Sequence, residues 1–177
     1  KTGDDFKKLL NKIFQNKIKN EHAVHFYELR DPSEELGISH PMIRTTRYDW
    51  LRLAKAIMDD YQNDTCVGKY LKKIYEKRIP KNLLGLPTKG GKKYTEPEFN
   101  RTKSYGGQFH FDYPGLEDKV IFGLGGRGGQ AILIDVENSR IVAINSMHYN
   151  DGRNKYNVKK LLIDPIKNGR KINWKLN

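Results

Sequence analysis

Three short apolar runs in the second half of the chain constrain its fold more than any other feature. These runs are Val120–Phe122, Ala131–Ile134 and Ile141–Ile144. Continuous apolar runs of this length predict central strands that are buried on both faces of a sheet. Just before them, the alternation of Phe109, Phe111 and Tyr113 with other residues predicts a half-buried strand. Between the last two runs, Glu137-Asn138-Ser139 fits a tight hairpin turn.

The first 79 residues show helical spacing instead. Thr2-Gly3-Asp4-Asp5 has the form of a capping box, and the apolar residues after it predict a helix over about 4–19. A second capping box, Thr46-Arg47-Tyr48-Asp49, precedes an apolar stripe that Asn63-Asp64 ends. A third helix follows closely and is stopped by Pro80. Its predicted inner face consists of Val67, Tyr70, Leu71, Ile74 and Tyr75.

The remaining segments carry no long periodic pattern. Residues 22–42 contain Pro32, Gly37 and Pro41 and are predicted to form a connecting loop. Residues 80–104 are rich in lysine, glycine and proline, which predicts a long basic surface loop. Val158, Leu161 and Leu162 suggest a short closing helix that Pro165 stops.

Helices, then consecutive strands, then a helix predict an α+β fold with an antiparallel sheet flanked by helices. A chain of 177 residues corresponds to about one domain. We divide it into a mainly helical part (1–79), the basic loop (80–104) and the terminal strands with the closing helix (105–177).

Charge and composition narrow the possible partners. The chain has 33 Lys+Arg against 21 Asp+Glu, a formal net charge of +12. Such an excess is typical of nucleic-acid binding or of solvated basic faces, and its scattering along the chain favours the second interpretation. No apolar run approaches the roughly 18 residues that span a membrane. The sequence indicates no cofactor.

Two residue types that often form sites are predicted to be structural. The single cysteine, Cys66, excludes an intrachain disulfide, and a buried structural thiol is favoured over a reactive one. His22 and His25 are three residues apart, but no third ligand is apparent in the sequence. A solvated loop pair is therefore favoured over a metal site.

The glycine-rich stretch from Gly123 to Gln130 lies between two predicted buried strands. Glycines there allow another group to approach the backbone closely. One interpretation is a strand edge that donates an N–H group to an oxyanion. A phosphate-binding loop is another, but its spacing is not met and no helix follows. An RNA-binding RGG segment and a glycine-rich hairpin or bulge are the remaining alternatives.

Two motifs and a following strand resemble the class C β-lactamase-like serine hydrolases. TTRYDWLRLA, residues 45–54, resembles the family's "T-x-x-D-L-A" helix. FGLGGRGGQAILID, residues 122–135, resembles its "G-H-G-G-x-G-G-Q-x-x-x-x-D" strand, the local counterpart of the K-T-G motif. Residues 141–146 resemble the edge strand that follows. The order and spacing fit, and the likeness covers about residues 45–150.

The resemblance implies a fold and a chemistry. The chain would be the C-terminal part of a β-lactamase or penicillin-binding-like hydrolase, a bacterial family usually found in the periplasm or cell envelope. In that family a serine attacks an ester, amide or β-lactam carbonyl and forms an acyl-enzyme. The strand beside the nucleophile gives one backbone N–H to the oxyanion hole, and here that N–H would belong to Arg127. The implied substrate-binding residues are Leu124, Gly125, Gly126, Arg127 and Gly128.

The sequence departs from the family pattern at several points. Leu124 stands where the family has lysine or histidine, and leucine can neither donate a hydrogen bond nor carry charge. None of the five serines has a lysine three residues later, so the S-x-x-K nucleophile is expected upstream. Tyr61-Gln62-Asn63 and Lys1-Thr2-Gly3 spell Y-x-N and K-T-G, but in the wrong structural context. The chain alone is therefore expected to hold no catalytic residue.

Three functions remain open at this point. The first is a fragment of an active serine hydrolase that binds a small acyl substrate. The second is a catalytically inactive member of that family that binds a ligand or peptide, which Leu124 favours. The third is an unrelated basic nucleic-acid-binding domain, which the net charge and the lysines of residues 80–104 favour.

Overall fold

The computed structural model describes residues 3–22, 24–29, 40–81, 102–125, 130–144 and 162–169. By their contacts, the residues divide into two compact units, 1–56 and 57–177. Four helices and eight strands lie in the described ranges. In chain order they are α1 (Gly3–Asn16), β1 (His25–Leu29), β2 (His40–Arg44), α2 (Arg47–Gln62), α3 (Cys66–Glu76), β3 (Ile79–Pro80), β4 (Ser104–Gly106), β5 (Phe109–Phe111), β6 (Ile121–Gly125), β7 (Ala131–Asp135), β8 (Arg140–Ile144) and α4 (Asp164–Asn168).

The predicted α+β class with an antiparallel sheet is confirmed. Strands β3 to β8 form a six-stranded sheet in which each strand pairs, antiparallel, with the next one along the chain. The three apolar runs are β6, β7 and β8, as predicted. Strand β7 is buried along its whole length, but β8 is only half-buried because it lies at the edge of the sheet.

The first unit contains α1, a two-stranded antiparallel sheet of β1 and β2, and residues 47–56 of α2. The prediction of a plain loop over 22–42 was wrong at both strands. Pro41 was taken as a breaker, yet it lies within β2 and pairs with Glu28. A two-stranded ladder consists of edge strands alone, and edge strands tolerate proline because its missing N–H can face away from the partner.

Aromatic side chains cover one face of the six-stranded sheet in the second unit. The ring of Phe122 lies 5.1 Å from both Phe109 and Phe111 and 5.6 Å from Tyr61 of α2, between ring centroids. Tyr75 of α3 lies 5.5 Å from Phe111. Edge-to-face packing of this kind adds to the burial of apolar area. Tyr61 is thus a packing residue, which agrees with the interpretation of Tyr61-Gln62-Asn63 as a chance match to the Y-x-N motif.

The other face of the sheet packs against α4 and the segment after β5. Its core consists of Tyr113, Leu116, Ile121, Ala131, Leu133, Leu162, Ile163 and Ile166. Pro165 lies in the first turn of α4, so the prediction that it stops a helix was wrong. Proline suits that position because a first-turn N–H has no partner within the helix. Val158 and Leu161 lie outside the described residues.

Helix α3 buries part of its predicted inner face, because Leu71 and Tyr75 pack inward as predicted but Val67 and Tyr70 do not. Gly68 and Leu71 are its buried residues, whereas Val67 and Tyr70 are 42% and 64% exposed. A Cβ atom at Gly68 would lie 1.9 Å from the carbonyl oxygen of Asp60, so glycine allows α3 to begin close against the end of α2. Cys66 lies in the first turn and is exposed, so the prediction of a buried thiol was wrong.

Tight turns and caps fix the ends of these elements. Gly107 and Gln108 both have positive φ, +54° and +71°, as a two-residue type I′ hairpin between β4 and β5 requires. The turn predicted at 137–139 is confirmed, since Asn138 donates from its backbone N–H to the buried carboxylate of Asp135 at 3.0 Å. Most of the predicted loop over 80–104 lies outside the described residues.

Candidate functional site

The glycine-rich stretch singled out in the sequence begins inside β6. Gly123 is buried, Leu124 is half-buried and Gly125 is exposed at the end of the strand. Both Leu124 and Gly125 pair with β7, opposite Ile132 and Ala131. The predicted substrate-binding residues Gly126, Arg127 and Gly128 lie outside the described residues. The structure therefore describes two members of that predicted set, Leu124 and Gly125.

Strand β6 extends beyond its pairing with β5. The register between these two strands consists of one pair, His110 opposite Gly123. The last two residues of β6, Leu124 and Gly125, therefore follow the end of that ladder. A strand end of this kind can offer backbone N–H and C=O groups to another molecule, because its neighbour does not pair with it there.

Gly123 serves the protein's own packing. A Cβ atom at this position would lie 1.7 Å from the hydroxyl oxygen of Tyr113 and 2.5 Å from its Cζ. The group that approaches the backbone closely at Gly123 is therefore a side chain of the same chain. Burial raises the pKa of the Tyr113 phenol, so it stays neutral. The alternation of Phe109, Phe111 and Tyr113 predicted an inward-facing side chain at Tyr113, but no local pattern indicates its contact with Gly123.

A series of hydrogen-bonded polar side chains lies beside β6. Its members come from β5, from the residue after β3 and from a residue just before β4. The ammonium group of Lys81 donates to the hydroxyl of Thr102 at 2.7 Å, and that hydroxyl lies 3.4 Å from Nδ1 of His110. Thr102 is buried. Burial, assisted by the charge of Lys81, lowers the pKa of His110 to about 4. The imidazole is therefore neutral at neutral pH.

A second group of polar side chains surrounds Asp112, the residue directly after β5. Asp112 has a φ of 55°, which is unusual for a residue other than glycine. Its carboxylate accepts from Nε of Arg78 at 3.0 and 3.2 Å and from the hydroxyl of Ser104. The guanidinium of Arg78 lies 4.0 Å from the ring centroid of Tyr75. These contacts fix the backbone just before the Tyr113 side chain.

The helix that resembles the family's "T-x-x-D-L-A" motif is built around Asp49. The hydroxyl of Thr46 accepts from the backbone N–H of Asp49 at 3.2 Å, which confirms the N-cap half of the predicted capping box. The same hydroxyl donates to the carboxylate of Asp49 at 3.0 Å. Sequence reasoning found this cap but missed that Asp49 is fully buried.

The buried carboxylate of Asp49 also accepts hydrogen bonds from the segment after α1 and from its own helix. It accepts from the backbone N–H groups of Glu21 and His22 at 3.0 and 3.3 Å and from Nη1 of Arg52 at 2.9 Å. Burial alone would raise its pKa, but these hydrogen bonds, with that of Thr46, outweigh burial and lower the pKa to about 2. Asp49 is therefore an ionised organising residue of the first unit.

A cavity of about 550 Å³ opens beside this carboxylate. Its lining residues are Glu21, His22, His25, Arg44, Thr45 and Thr46. The two histidines that the sequence suggested as a loop pair thus reach the same cavity. Within the described residues, no three His, Cys, Asp or Glu side chains come together as a metal site would require.

No helix in the described part of the chain combines the length and apolar character needed to cross a bilayer. Comparisons with protein-family models, curated proteins and solved structures found no match to this chain. Function must therefore be inferred from the residues and their geometry.

Proposed function

We propose that this chain supplies one wall of the active site of a β-lactamase-like serine hydrolase, whose nucleophile lies in preceding sequence. The observation that carries the proposal is the end of β6, where Leu124 and Gly125 run past the pairing with β5 into the glycine-rich segment. An acyl substrate could lie along this strand end and accept a backbone N–H on its carbonyl oxygen.

Further support comes from the order of the elements. Along the chain, helix α2 with its Thr-x-x-Asp start precedes the antiparallel strands β6 to β8, and the short helix α4 follows them, which is the order that the resemblance implies. Helices pack on both faces of the sheet through Tyr61 and Tyr75 on one side and Ile166 on the other. A β-lactamase-like arrangement has the same layers, so we propose this fold for the parent protein.

In this proposal the oxyanion donor is the backbone N–H of Arg127. Glycines on either side would let the substrate approach, and Leu124 would offer an apolar contact where the family has a charged or hydrogen-bonding side chain. Leucine cannot bind a substrate carboxylate. We therefore propose an uncharged ester or amide as the substrate rather than a carboxylate-bearing β-lactam.

The coding sequence upstream of Lys1 provides the first test. We expect an open frame that carries S-x-x-K and then Y-x-N. A start codon directly before Lys1, or a frame without these motifs, would contradict the proposal because no nucleophile could then be supplied in the same chain.

The complete protein provides the second test, through a matched pair of variants. Arg127→Pro removes the proposed N–H donor, whereas Arg127→Ala keeps it and removes only the side chain. Loss of one oxyanion donor lowers kcat by on the order of 10²–10³. Hydrolysis of p-nitrophenyl esters should fall by that factor in Arg127→Pro and by far less in Arg127→Ala. Equal activities in the two variants, at equal thermal stability, would reject Arg127 as the donor.

A catalytically inactive, ligand-binding member of the same family is the second candidate. The half-buried, uncharged Leu124 favours it. In that case the upstream frame would carry a degraded S-x-x-K motif. The complete protein would then fail to react with a fluorophosphonate probe, which labels activated serines.

A further inference from the structure

Helix α1 exposes part of its apolar surface. Phe6, Leu9 and Ile13 are 60%, 50% and 39% exposed, whereas Phe14 is buried and Leu10 is half-buried. Because each residue of a helix is rotated by about 100° from the one before it, the three exposed side chains fall within an arc of about 60°. They form one apolar strip along the helix, which we call the α1 strip. The proposed hydrolase site does not use this strip, so the inference does not depend on that proposal.

Lysine side chains border the α1 strip. Lys7, Lys8 and Lys12 are exposed, and none of them forms an ion pair with another residue in the described part of the chain. Around the helix, Lys12 lies about 60° from Leu9 on one side of the strip, and Lys7 lies about 100° from Phe6 on the other. The apolar strip therefore has a positive charge along each side.

The acidic residues of α1 lie at its N-terminus. Asp4 and Asp5 are in the first turn, where negative charge stabilises the positive end of the helix dipole. Asp5 also takes part in an interaction within the protein. Residues 3–19 contain five lysines and two aspartates, so this segment is basic overall. A partner that fits the strip must therefore combine negative charge with an apolar interior.

The α1 strip is small compared with a protein interface. A large apolar side chain offers on the order of 200 Å² when fully exposed, so the three half-exposed side chains together offer about 300 Å². Stable protein–protein interfaces bury roughly 800 Å² on each partner. A bilayer surface needs no matching shape, because apolar side chains insert between its headgroups and anionic lipids attract the lysines beside them.

We propose that α1 binds the surface of an anionic lipid bilayer through the α1 strip. The helix lies parallel to the bilayer plane, with Phe6, Leu9 and Ile13 inserted at the boundary between headgroups and acyl chains. The stems of Lys7 and Lys12 follow the apolar boundary, and their ammonium groups reach the negative groups of the lipids. The burial of Phe14 keeps another side of the helix in contact with the protein.

Cosedimentation of the full chain with lipid vesicles tests the binding itself. Mixed vesicles of phosphatidylcholine and phosphatidylglycerol provide the anionic surface, and pure phosphatidylcholine vesicles are the neutral control. We expect at least about tenfold tighter binding to the mixed vesicles at low ionic strength, because each lysine near an anionic surface contributes about fivefold. Added salt should reduce this difference.

The single, exposed cysteine allows the contact surface to be mapped. In a Cys66→Ser background, an environment-sensitive fluorophore is attached at Leu9→Cys on the strip or at Gln15→Cys. Gln15 is exposed and lies about 180° around the helix from Phe6. With anionic vesicles, the label on the strip should shift its emission to shorter wavelength and be quenched by brominated lipids. The label at Gln15→Cys should change little.

Two double lysine variants form a matched pair. Lys7→Gln with Lys12→Gln removes two charges beside the strip, whereas Lys69→Gln with Lys73→Gln removes two exposed charges from α3. The first variant should bind mixed vesicles about 25-fold more weakly, at about fivefold for each lysine. The second should lose less than about threefold, the screened long-range effect of its charges.

Phe6→Gln and Tyr70→Gln make the same comparison for apolar contacts. The two rings are 60% and 64% exposed, so neither substitution removes a buried side chain. Phe6→Gln should weaken binding about tenfold, because the ring no longer leaves water on binding. Tyr70→Gln, on α3, should leave the affinity unchanged within about twofold, since a residue outside the strip loses no burial.

Three results would overturn the proposal. The first is that the chain does not bind anionic vesicles. The second is that the α1 and α3 variants lose the same affinity, which would indicate attraction to the overall positive charge. The third is that the label on the strip shifts with protein concentration in the absence of vesicles, which would identify a second copy of the chain as the partner.

Discussion

In residues 1–56, backbone and side-chain donors converge on one buried carboxylate, whereas in residues 57–177 apolar layers cover both faces of a sheet. The first arrangement depends on the charge of Asp49. The second depends on the burial of rings and aliphatic side chains such as Phe122 and Leu133. We therefore expect the stability of the first unit to depend mainly on charge and the stability of the second unit to depend mainly on side-chain volume.

The largest effect should come from removing the central ring of the second unit. Phe122 is fully buried among four aromatic rings. Phe122→Ala should lower the free energy of unfolding by about 4 kcal/mol, as large-to-small changes in well-packed cores do. Denaturant unfolding measures this directly. A loss below about 1 kcal/mol would mean that the aromatic layer does not carry the stability of this unit.

The corresponding change in the first unit is Asp49→Asn. The amide keeps the shape of the carboxylate but loses its charge and turns an NH₂ group toward donors such as Arg52 and Thr46. We expect a loss of about 3 kcal/mol, typical of a broken buried ionic network. Asp64→Asn is the control, because its ion pair with Lys72 is exposed and screened by solvent, so this substitution should lower the free energy of unfolding far less. Equal effects of the two substitutions would contradict an organising role for Asp49.

Gly123→Ala tests whether the second unit is sensitive to one added side-chain atom. The added Cβ would overlap the hydroxyl of Tyr113, whose ring is buried and cannot move aside freely. Overpacking of this kind costs about 1–3 kcal/mol. A second change, Tyr113→Leu, should recover part of the loss in the double variant. A double variant that loses the sum of both single effects would show that the two residues do not clash.

The two units should also lose stability in different pH ranges. Asp49 has a pKa of about 2, below its ordinary value of 3.8, so its contribution is present above about pH 4 and is lost as the pH falls toward 2. His110 has a pKa of about 4, below the usual 6.5, so the contribution of the neutral ring is lost as the pH falls from about 6.5 toward 4.

Hydrogen exchange at a series of pH values can separate these two ranges. Exchange around β5, corrected for the intrinsic exchange rate at each pH, should increase first as the pH falls, and corrected exchange around the start of α2 should follow at lower pH. His110→Gln should abolish the first increase and leave the second unchanged. A single transition that both regions share, and that His110→Gln does not alter, would contradict the assignment.

The smallest effect should come from the N-cap of α3, which does not belong to the core of either unit. The hydroxyl of Thr65 accepts from the backbone N–H of Gly68 at 3.1 Å and begins α3. Thr65→Ala should cost about 1 kcal/mol. Thr46→Ala should cost more, since that hydroxyl also binds the buried carboxylate of Asp49. Thermal unfolding of both variants would rank the two threonines.

Much of the secondary structure follows from local patterns in the sequence. The apolar runs at 120–122 and 131–134 predicted β6 and β7, and the Thr46–Asp49 capping box predicted the start of α2. These signals work because spacing and capping are properties of a few neighbouring residues. The β1–β2 pair escaped prediction because short strands with a proline gain their stability from pairing with a distant segment.

The site geometry was less accessible from the sequence. Nothing local indicates that Tyr113 fills the space above Gly123, or that His25 lies opposite Arg44. The burial of Asp49 depends on donors that lie 27 and 28 residues earlier in the chain. The exposed face of α3 was misjudged because periodicity marks an apolar stripe without showing which part of it finds a partner.

The strand order of the large sheet has a consequence for how the chain folds. Because each of its strands pairs with its neighbour in sequence, most contacts of the sheet join residues that are close along the chain. Proteins rich in such local contacts fold quickly, since little loop-closure entropy is lost before the contacts form. The hairpins from β4 to β8 should therefore assemble early. Strand β3, which pairs with β4 across residues 81–103, should join last.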